Sequence, residues 1–154
     1  MRRFIVLTAE QTDALALWAL HTHVYEAFDC SPLLAISSPE KRTGKSRLLR
    51  VLELVVARPW QVVRPSEALT FRKIDRDRPT LLLDETDTIF GRGSEHEGLR
   101  ALLNAGNERG VSVPRWAGPQ RDRLDEFEVY CPKALVDSAD SLRPFVFETR
   151  IRLS

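Results

Sequence analysis

The chain has 154 residues, with 23 Lys and Arg against 22 Asp and Glu, a formal net charge of +1. That balance excludes polyanion binding by bulk charge, so any nucleic-acid contact must come from a local patch. Hydrophobic content of 43% and charged content of 29% describe a globular chain with a real core, not a disordered or fibrous one.

The elements follow in chain order. Phe4 to Leu7 reads as a short strand. Thr8 with Gln11 forms a capping box, and the helix behind it runs to about Phe28. Its Ala14 to Leu20 stretch is apolar but far too short to span a membrane. Met1-Arg2-Arg3 with Phe4 to Leu7 is likewise too short for a signal segment. Leu33 to Ser37 is the first core strand. Ser46 to about Ala57 is a helix, with Leu48, Leu49, Leu52, Val55 and Val56 at helical spacing and Pro59 as its stop. Trp60 to Val63 is a strand. Ser66 caps a helix ending near Ile74, and Asp75 to Pro79 reads as a self-paired charged turn. Leu81 to Asp84 is a strand. Ser94 with Glu97 is a second capping box, opening a helix that ends by Gly106 to Gly110. Val111 to Trp116 and Glu126 to Tyr130 form a β-hairpin with its tip at 117–122. Lys133 to Val136 and Phe145 to Ile151 are the last strands. Strands alternating with helices predict a parallel sheet covered on both faces, with a ligand at the carboxyl ends of the strands. The organisation is an N-terminal strand and helix, 1–32, packed on a core at 33–154 that carries the hairpin at 111–130.

Two segments carry the chemistry. Leu33 to Ile36 runs into Ser38-Pro39-Glu40-Lys41-Arg42-Thr43-Gly44-Lys45-Ser46. Leu81-Leu82-Leu83 runs into Asp84-Glu85. A strand feeding a loop and then a helix at Gly-Lys-Ser is the pattern of a phosphate cradle. Backbone N–H groups of Pro39-flanked loop residues Glu40 to Ser46 face the anion, and the helix dipole favours it. Lys45 reaches the β- and γ-phosphates, and the Ser46 hydroxyl binds Mg²⁺. Asp84 holds that Mg²⁺ through water, and Glu85 polarises the attacking water. The loop has Pro39 and Arg42 at positions where many such loops have glycine. With no Asn-Lys-x-Asp motif to read guanine, ATP is the expected nucleotide. The expected fold is a three-layer α/β P-loop NTPase sandwich around a mostly parallel sheet.

Several segments together resemble the domain-of-unknown-function 3631 family. They are Trp18 to His23, Ser38-Pro39-Glu40, Gly44 to Leu49, Ile74 to Glu85, and Leu102-Leu103-Asn104-Ala105-Gly106. That family consists of P-loop ATPase domains of actinobacteria and their phages, often fused to primase-like or helicase-like regions. Its loop resembles Ser-Pro-Glu-Pro-Gly-Ser-Gly-Lys-Thr, so Pro39 matches while Lys41-Arg42 departs. The resemblance implies an ATP-hydrolysing, AAA+/helicase-like core of a DNA-replication protein, oligomeric when active. It also implies a small helical lid, for which the chain ending at Ser154 leaves no room. Arg143 is then the candidate for an arginine acting on a neighbouring subunit's phosphate, with Arg150 as the alternative. Asp137 and Ser138 are candidates for orienting the water.

The hairpin carries Arg115, Trp116, Arg121 and Arg123, a combination suited to phosphate contact and base stacking on single-stranded DNA. Asp122, Asp125 and Glu126 dilute its charge. His21 and His23 lie two apart on a helix and point away from each other, which suits packing or capping and not a metal. Trp18 belongs to the core. Cys30 and Cys131 form no CxxC pair and read as core or strand residues of a reduced, cytoplasmic protein. Two other readings stay open: a relative that binds nucleotide weakly without turnover, and a nucleic-acid or interaction module whose phosphate site is vestigial.

Overall fold

The computed structural model describes residues 7–38, 44–84, 97–117, 122–138 and 148–152. Among the described residues, five strands make the main sheet: β1 (Leu33–Ser38), β2 (Pro59–Val63), β3 (Thr80–Asp84), β6 (Lys133–Ser138) and β7 (Glu148–Arg152). Their order is β2-β3-β6-β1-β7, and each neighbouring pair is parallel. The chain is therefore mixed α/β around a parallel sheet. A separate antiparallel hairpin pairs β4 (Ser112–Ala117) with β5 (Arg123–Glu128). It is inserted between β3 and β6.

Period-two alternation sorts the core into two layers. Leu34, Ile36, Leu82, Ala134 and Val136 face one side, where they meet α1 (Ala9–Val24) and α2 (Lys45–Glu53) through Leu15, Trp18, Leu48, Leu49 and Leu52. Leu33, Ala35, Leu81, Leu83 and Leu135 face the other, against α3 (Glu67–Asp77) and α4 (Glu97–Ala105) through Phe71, Ile74, Leu99, Leu102 and Leu103. Strands buried on both faces need apolar residues at every position, which is why Leu81-Leu82-Leu83 and Ala134-Leu135-Val136 do not alternate with polar ones.

The capping box of α1 is formed: Gln11 N–H donates to Thr8 Oγ1 at 3.2 Å, and Thr8 N–H donates to Gln11 Oε1 at 2.9 Å. The helix stops at Val24, and Tyr25–Ala27 is a 3-10 turn. Trp18 is 3% exposed, and its indole N–H donates to Pro32 O at 2.9 Å. Residues 4–6 of the expected first strand lie outside the described residues, and Leu7 belongs to no strand.

Two expectations are corrected. Helix α2 ends at Glu53, short of Ala57, and Pro59 opens β2 instead of stopping the helix. The turn after it is pulled away from helical geometry by outside partners. Ala57 N–H donates to Thr22 Oγ1 at 3.0 Å, His23 Nε2 donates to Val55 O at 2.9 Å, and Arg58 takes a left-handed φ of 45°. Asp75 to Arg78 is not a self-paired turn. Asp75 and Asp77 lie in α3, and Arg78 is its left-handed C-cap at φ 46°. Asp77 does take Arg76 and Lys73, both at 2.6 Å. Asp75 and Arg78 reach across to β5, as described below.

Candidate nucleotide edge and hairpin interface

Parallel strands end together, so the carboxyl ends of β2, β3, β6, β1 and β7 form one edge. Register fixes what meets there. Val63 is opposite Asp84, Ser37 lies between Asp137 and Arg152, and Ser38 is opposite Ser138. Strand β3 and strand β1 are separated only by β6, two strand spacings or about 10 Å. The sequence candidates Asp84, Asp137 and Ser138 therefore lie along one edge, and Lys45 and Ser46 open the helix that follows β1 in the chain. Arg150 is on β7, opposite Ala35. Pro39, Glu40, Lys41, Arg42, Thr43, Glu85, Arg121 and Arg143 lie outside the described residues.

Helix α2 begins unlike the other helices whose N-caps are described. Helix α1 opens with the Thr8 cap and Glu10, and α3 opens with the Ser66 cap and Glu67. Both arrangements place acceptors and negative charge against the helix dipole. Helix α2 opens with Gly44 at φ 87°, without a capping side chain and without an acid in its first turn, which carries Lys45 and Arg47 instead. A Cβ at Gly44 would meet nothing within 4 Å, so glycine is needed there for backbone conformation and not for space. Cations at a helix N-terminus cost about 0.3–1 kcal/mol each unless an anion joins them. Leu48 N–H donates to Gly44 O at 2.9 Å, which closes the first turn behind the N-terminus. Lys45 and Asp84 are half-buried, and Ser46 is exposed.

The donor set suits a hard cation shared with phosphate. Among the described residues there is no cluster of three His, Cys, Asp or Glu side chains that could hold a metal alone. Mg²⁺ needs no such cluster. It takes one or two protein oxygens and completes its shell with phosphate and water. One hydroxyl and one carboxylate, Ser46 and Asp84, fit that demand.

The hairpin is seated on α3 through one helical stripe: Glu67, Phe71, Asp75 and Arg78, three to four residues apart. Glu67 forms an ion pair with Arg115. Phe71 packs on Phe127 with ring centroids 5.6 Å apart, and the Arg115 guanidinium lies 4.7 Å above the Phe71 ring. Asp75 Oδ1 accepts from Glu128 N–H at 2.9 Å, and Arg78 pairs with the Glu128 carboxylate. Glu67 also caps α4, its Oε1 accepting from Gly98 N–H at 3.0 Å and Leu99 N–H at 3.3 Å. The proposed cap, Ser94, lies outside the described residues; Glu67 supplies a cap from another helix.

This seating divides the expected nucleic-acid residues. Arg115 faces α3, with its charge matched by Glu67 and its guanidinium against Gly98. Arg123 is exposed and donates to both Asp125 oxygens, at 2.7 and 2.8 Å, holding that carboxyl below the usual carboxylate range. Trp116, 64% exposed, stands on the outer face opposite Leu124, which is 52% exposed. Compared with known proteins, the chain matches no family model and no curated protein. Function is therefore argued from the residues and their placement.

At the opposite, amino edge the structure shows a residue that sequence reasoning missed. Lys133 is buried, and its Nζ donates to Gly106 O and, at 2.8 Å, to Cys131 O. Burial pushes its ammonium below the usual lysine range. It sits at the carboxyl end of α4, where a cation suits the helix dipole. The available signal was a lysine opening an apolar strand directly after Cys131-Pro132. Cys131 is buried beside it, whereas Cys30 is exposed, on an isolated bridge to Glu108. His21 Nε2 and Ser31 Oγ are hydrogen-bonded at 3.0 Å, a packing role like that of His23. Among the described residues no helix is long and apolar enough to cross a membrane.

Proposed function

We propose that the chain is an ATP-binding and ATP-hydrolysing P-loop domain of a helicase- or primase-associated DNA-replication protein of mobile-element or phage type. The observation that carries the reading is that α2 opens with Gly44-Lys45-Ser46, cationic and without a side-chain cap, on the same sheet edge as Asp84. An anion at that N-terminus is favoured by the helix dipole and by the cationic first turn. The strand order supports it further. The chain leaves β1 toward β2 and returns through β3 to β6, so the crevice at the end of β1 lies where strand order reverses.

On this reading the Lys45 and Ser46 backbone N–H groups and the Lys45 ammonium hold the phosphates. Bound Mg²⁺, with Ser46 and Asp84 as its protein ligands, would neutralise the charge on the phosphate oxygens. Glu85 follows Asp84 directly and accepts hydrogen-bonding from the attacking water. Asp137 or Ser138, at the end of the neighbouring strand, orients it. Arg143, with Arg150 as the alternative, serves a neighbouring copy in a homo-oligomer.

Steady-state ATP turnover with Mg²⁺ tests this. Glu85→Gln lowers turnover by about 10²-fold or more while ATP still binds, as expected when general-base assistance is lost. Turnover at the wild-type rate in that variant removes the water-activating role. A second reading, a relative that binds without hydrolysis, is favoured by Arg42 in the loop. It predicts wild-type ATP binding with no turnover above that of Glu85→Gln.

A further inference from the structure

Of the ten large hydrophobic side chains exposed among the described residues, six lie on or beside the outer side of α1. Leu17, Leu20 and Val24 line that side at helical spacing, three and four residues apart. Phe28 continues the line past the 3-10 turn, its ring 5.1 Å from that of His21. Leu54 and Val55 flank the line on the other side, where His23 Nε2 donates to Val55 O. The inner side of the same helix is buried through Leu15, Trp18 and Ala19. A helix apolar on both sides is suited to cover on both. Leu17 and Leu20 are 68% and 66% exposed, and each such side chain leaves on the order of 100 Å² of apolar surface in water. Together the six reach the upper end of the patch size that monomers carry, the size that marks an interaction site.

The face is graded along its length. Its amino half offers small exposed side chains, Ala9 and Ala16, with the acids Glu10 and Asp13. Its carboxyl half offers the large ones, with His21 and His23 in the last turn. There Arg58 pairs with Glu26, and Arg109 reaches the Glu26 carbonyl beside Asp29, so the acids of that end are offset. We propose that this face takes a second copy of itself, two α1 helices packed antiparallel about a two-fold axis between Leu17 and Leu20. In that arrangement the large half of each helix covers the small half of the other, and Leu17 of each copy meets Leu20 of the other. The acidic end of each helix meets the histidine end of the other, with the helix dipoles opposed. A parallel pair would set Asp13 against its own copy and large side chains against large ones. Six such side chains from each copy bury about 1,200 Å², the lower bound of a stable interface. The contact is closed and two-fold. The arginine contact proposed at the nucleotide edge repeats head to tail instead, and the α1 pair neither needs nucleotide nor rests on that reading.

The test is sedimentation velocity of the full chain across a concentration series, with and without ATP and Mg²⁺. Wild type without nucleotide is a dimer that dissociates on dilution. Leu20→Glu raises the dissociation constant at least about 100-fold, because the two-fold axis puts two such charges into one apolar contact. Leu69→Glu, at an exposed leucine of α3, leaves it unchanged. Asp13→Asn weakens the dimer about twofold, the loss of an exposed charge contact. A tighter dimer in that variant means parallel helices and overturns the arrangement. All three side chains are exposed, so the variants keep the fold, which circular dichroism checks. If wild type is monomeric at every concentration, a different partner covers the face and the proposal falls. It falls equally if Leu20→Glu dimerises as wild type does, or if a dimer forms only with ATP, since the contact then lies elsewhere.

Discussion

The two edges of the main sheet are built from the same strands and have opposite characters. At the amino edge most of the polar groups described are closed by the protein itself, the buried Asn107 Oδ1 being an exception. Trp18 donates to Pro32 O, Ser31 N–H to Asn107 O, Tyr130 O–H to Tyr25 O and Phe28 O, and Lys133 to Gly106 O and Cys131 O. At the carboxyl edge the strands end in Asp84, Ser37, Ser38, Asp137 and Ser138, beside a helix that starts with cations. Polar groups at the amino edge hold the fold together. Those at the carboxyl edge are the residue types proposed above to hold a ligand. Stability and function are therefore separable by edge, and substitutions at each should read out differently.

The largest stability effect is expected at Lys133. Lys133→Ala opens a cavity and leaves Gly106 O and Cys131 O without their donor, at a cost of about 3 kcal/mol. Urea unfolding should show it, while the folded fraction keeps its nucleotide affinity. A loss of affinity in fully folded protein would mean that the edges are coupled through β6.

A smaller effect is expected at Tyr25 and depends on pH. Burial pushes its hydroxyl up to about 12. The unfolded hydroxyl ionises near 10, so above that pH the unfolded chain loses a proton that the native state keeps, and stability falls as pH rises from about 10 to 12. The loss reaches about 2 kcal/mol at the top of that window. Tyr25→Phe removes this component, so its stability declines less steeply than that of wild type when both are unfolded in urea across the same pH range. Parallel declines would place the alkaline loss elsewhere.

How much of this was legible follows from sequence distance. The strands and their burial on both faces could be read because Leu33 to Ile36, Leu81 to Leu83 and Ala134 to Val136 are continuous apolar runs. The Thr8 and Ser66 caps are local patterns, and both are formed. Gly44-Lys45-Ser46 and Asp84 were legible as types at a spacing, and topology puts Asp84 on the edge where β1, the strand before that helix, also ends. The seating of the hairpin was not legible. Glu67 is 31 residues from Gly98 and 48 from Arg115, and nothing in either segment names the other. For the same reason Arg115 read as a nucleic-acid residue, whereas its guanidinium lies against α3. Asp75 and Arg78 read as partners for their neighbours because the competing partner, Glu128, is about 50 residues away. Lys133 was hidden because a buried lysine contradicts the ordinary rule for its type.

The central claim is that the carboxyl edge binds nucleoside triphosphate through the start of α2. Calorimetric titration of ATP with Mg²⁺ into wild type and Lys45→Ala tests it most directly, with urea unfolding of both as the control. Wild type binds ATP. Lys45→Ala loses at least about 100-fold in affinity, as expected when a charge-assisted contact to phosphate is removed from a site with no substitute. Its stability stays within about 0.5 kcal/mol of wild type. Equal ATP affinity in the two proteins, or no binding by wild type, would contradict the claim.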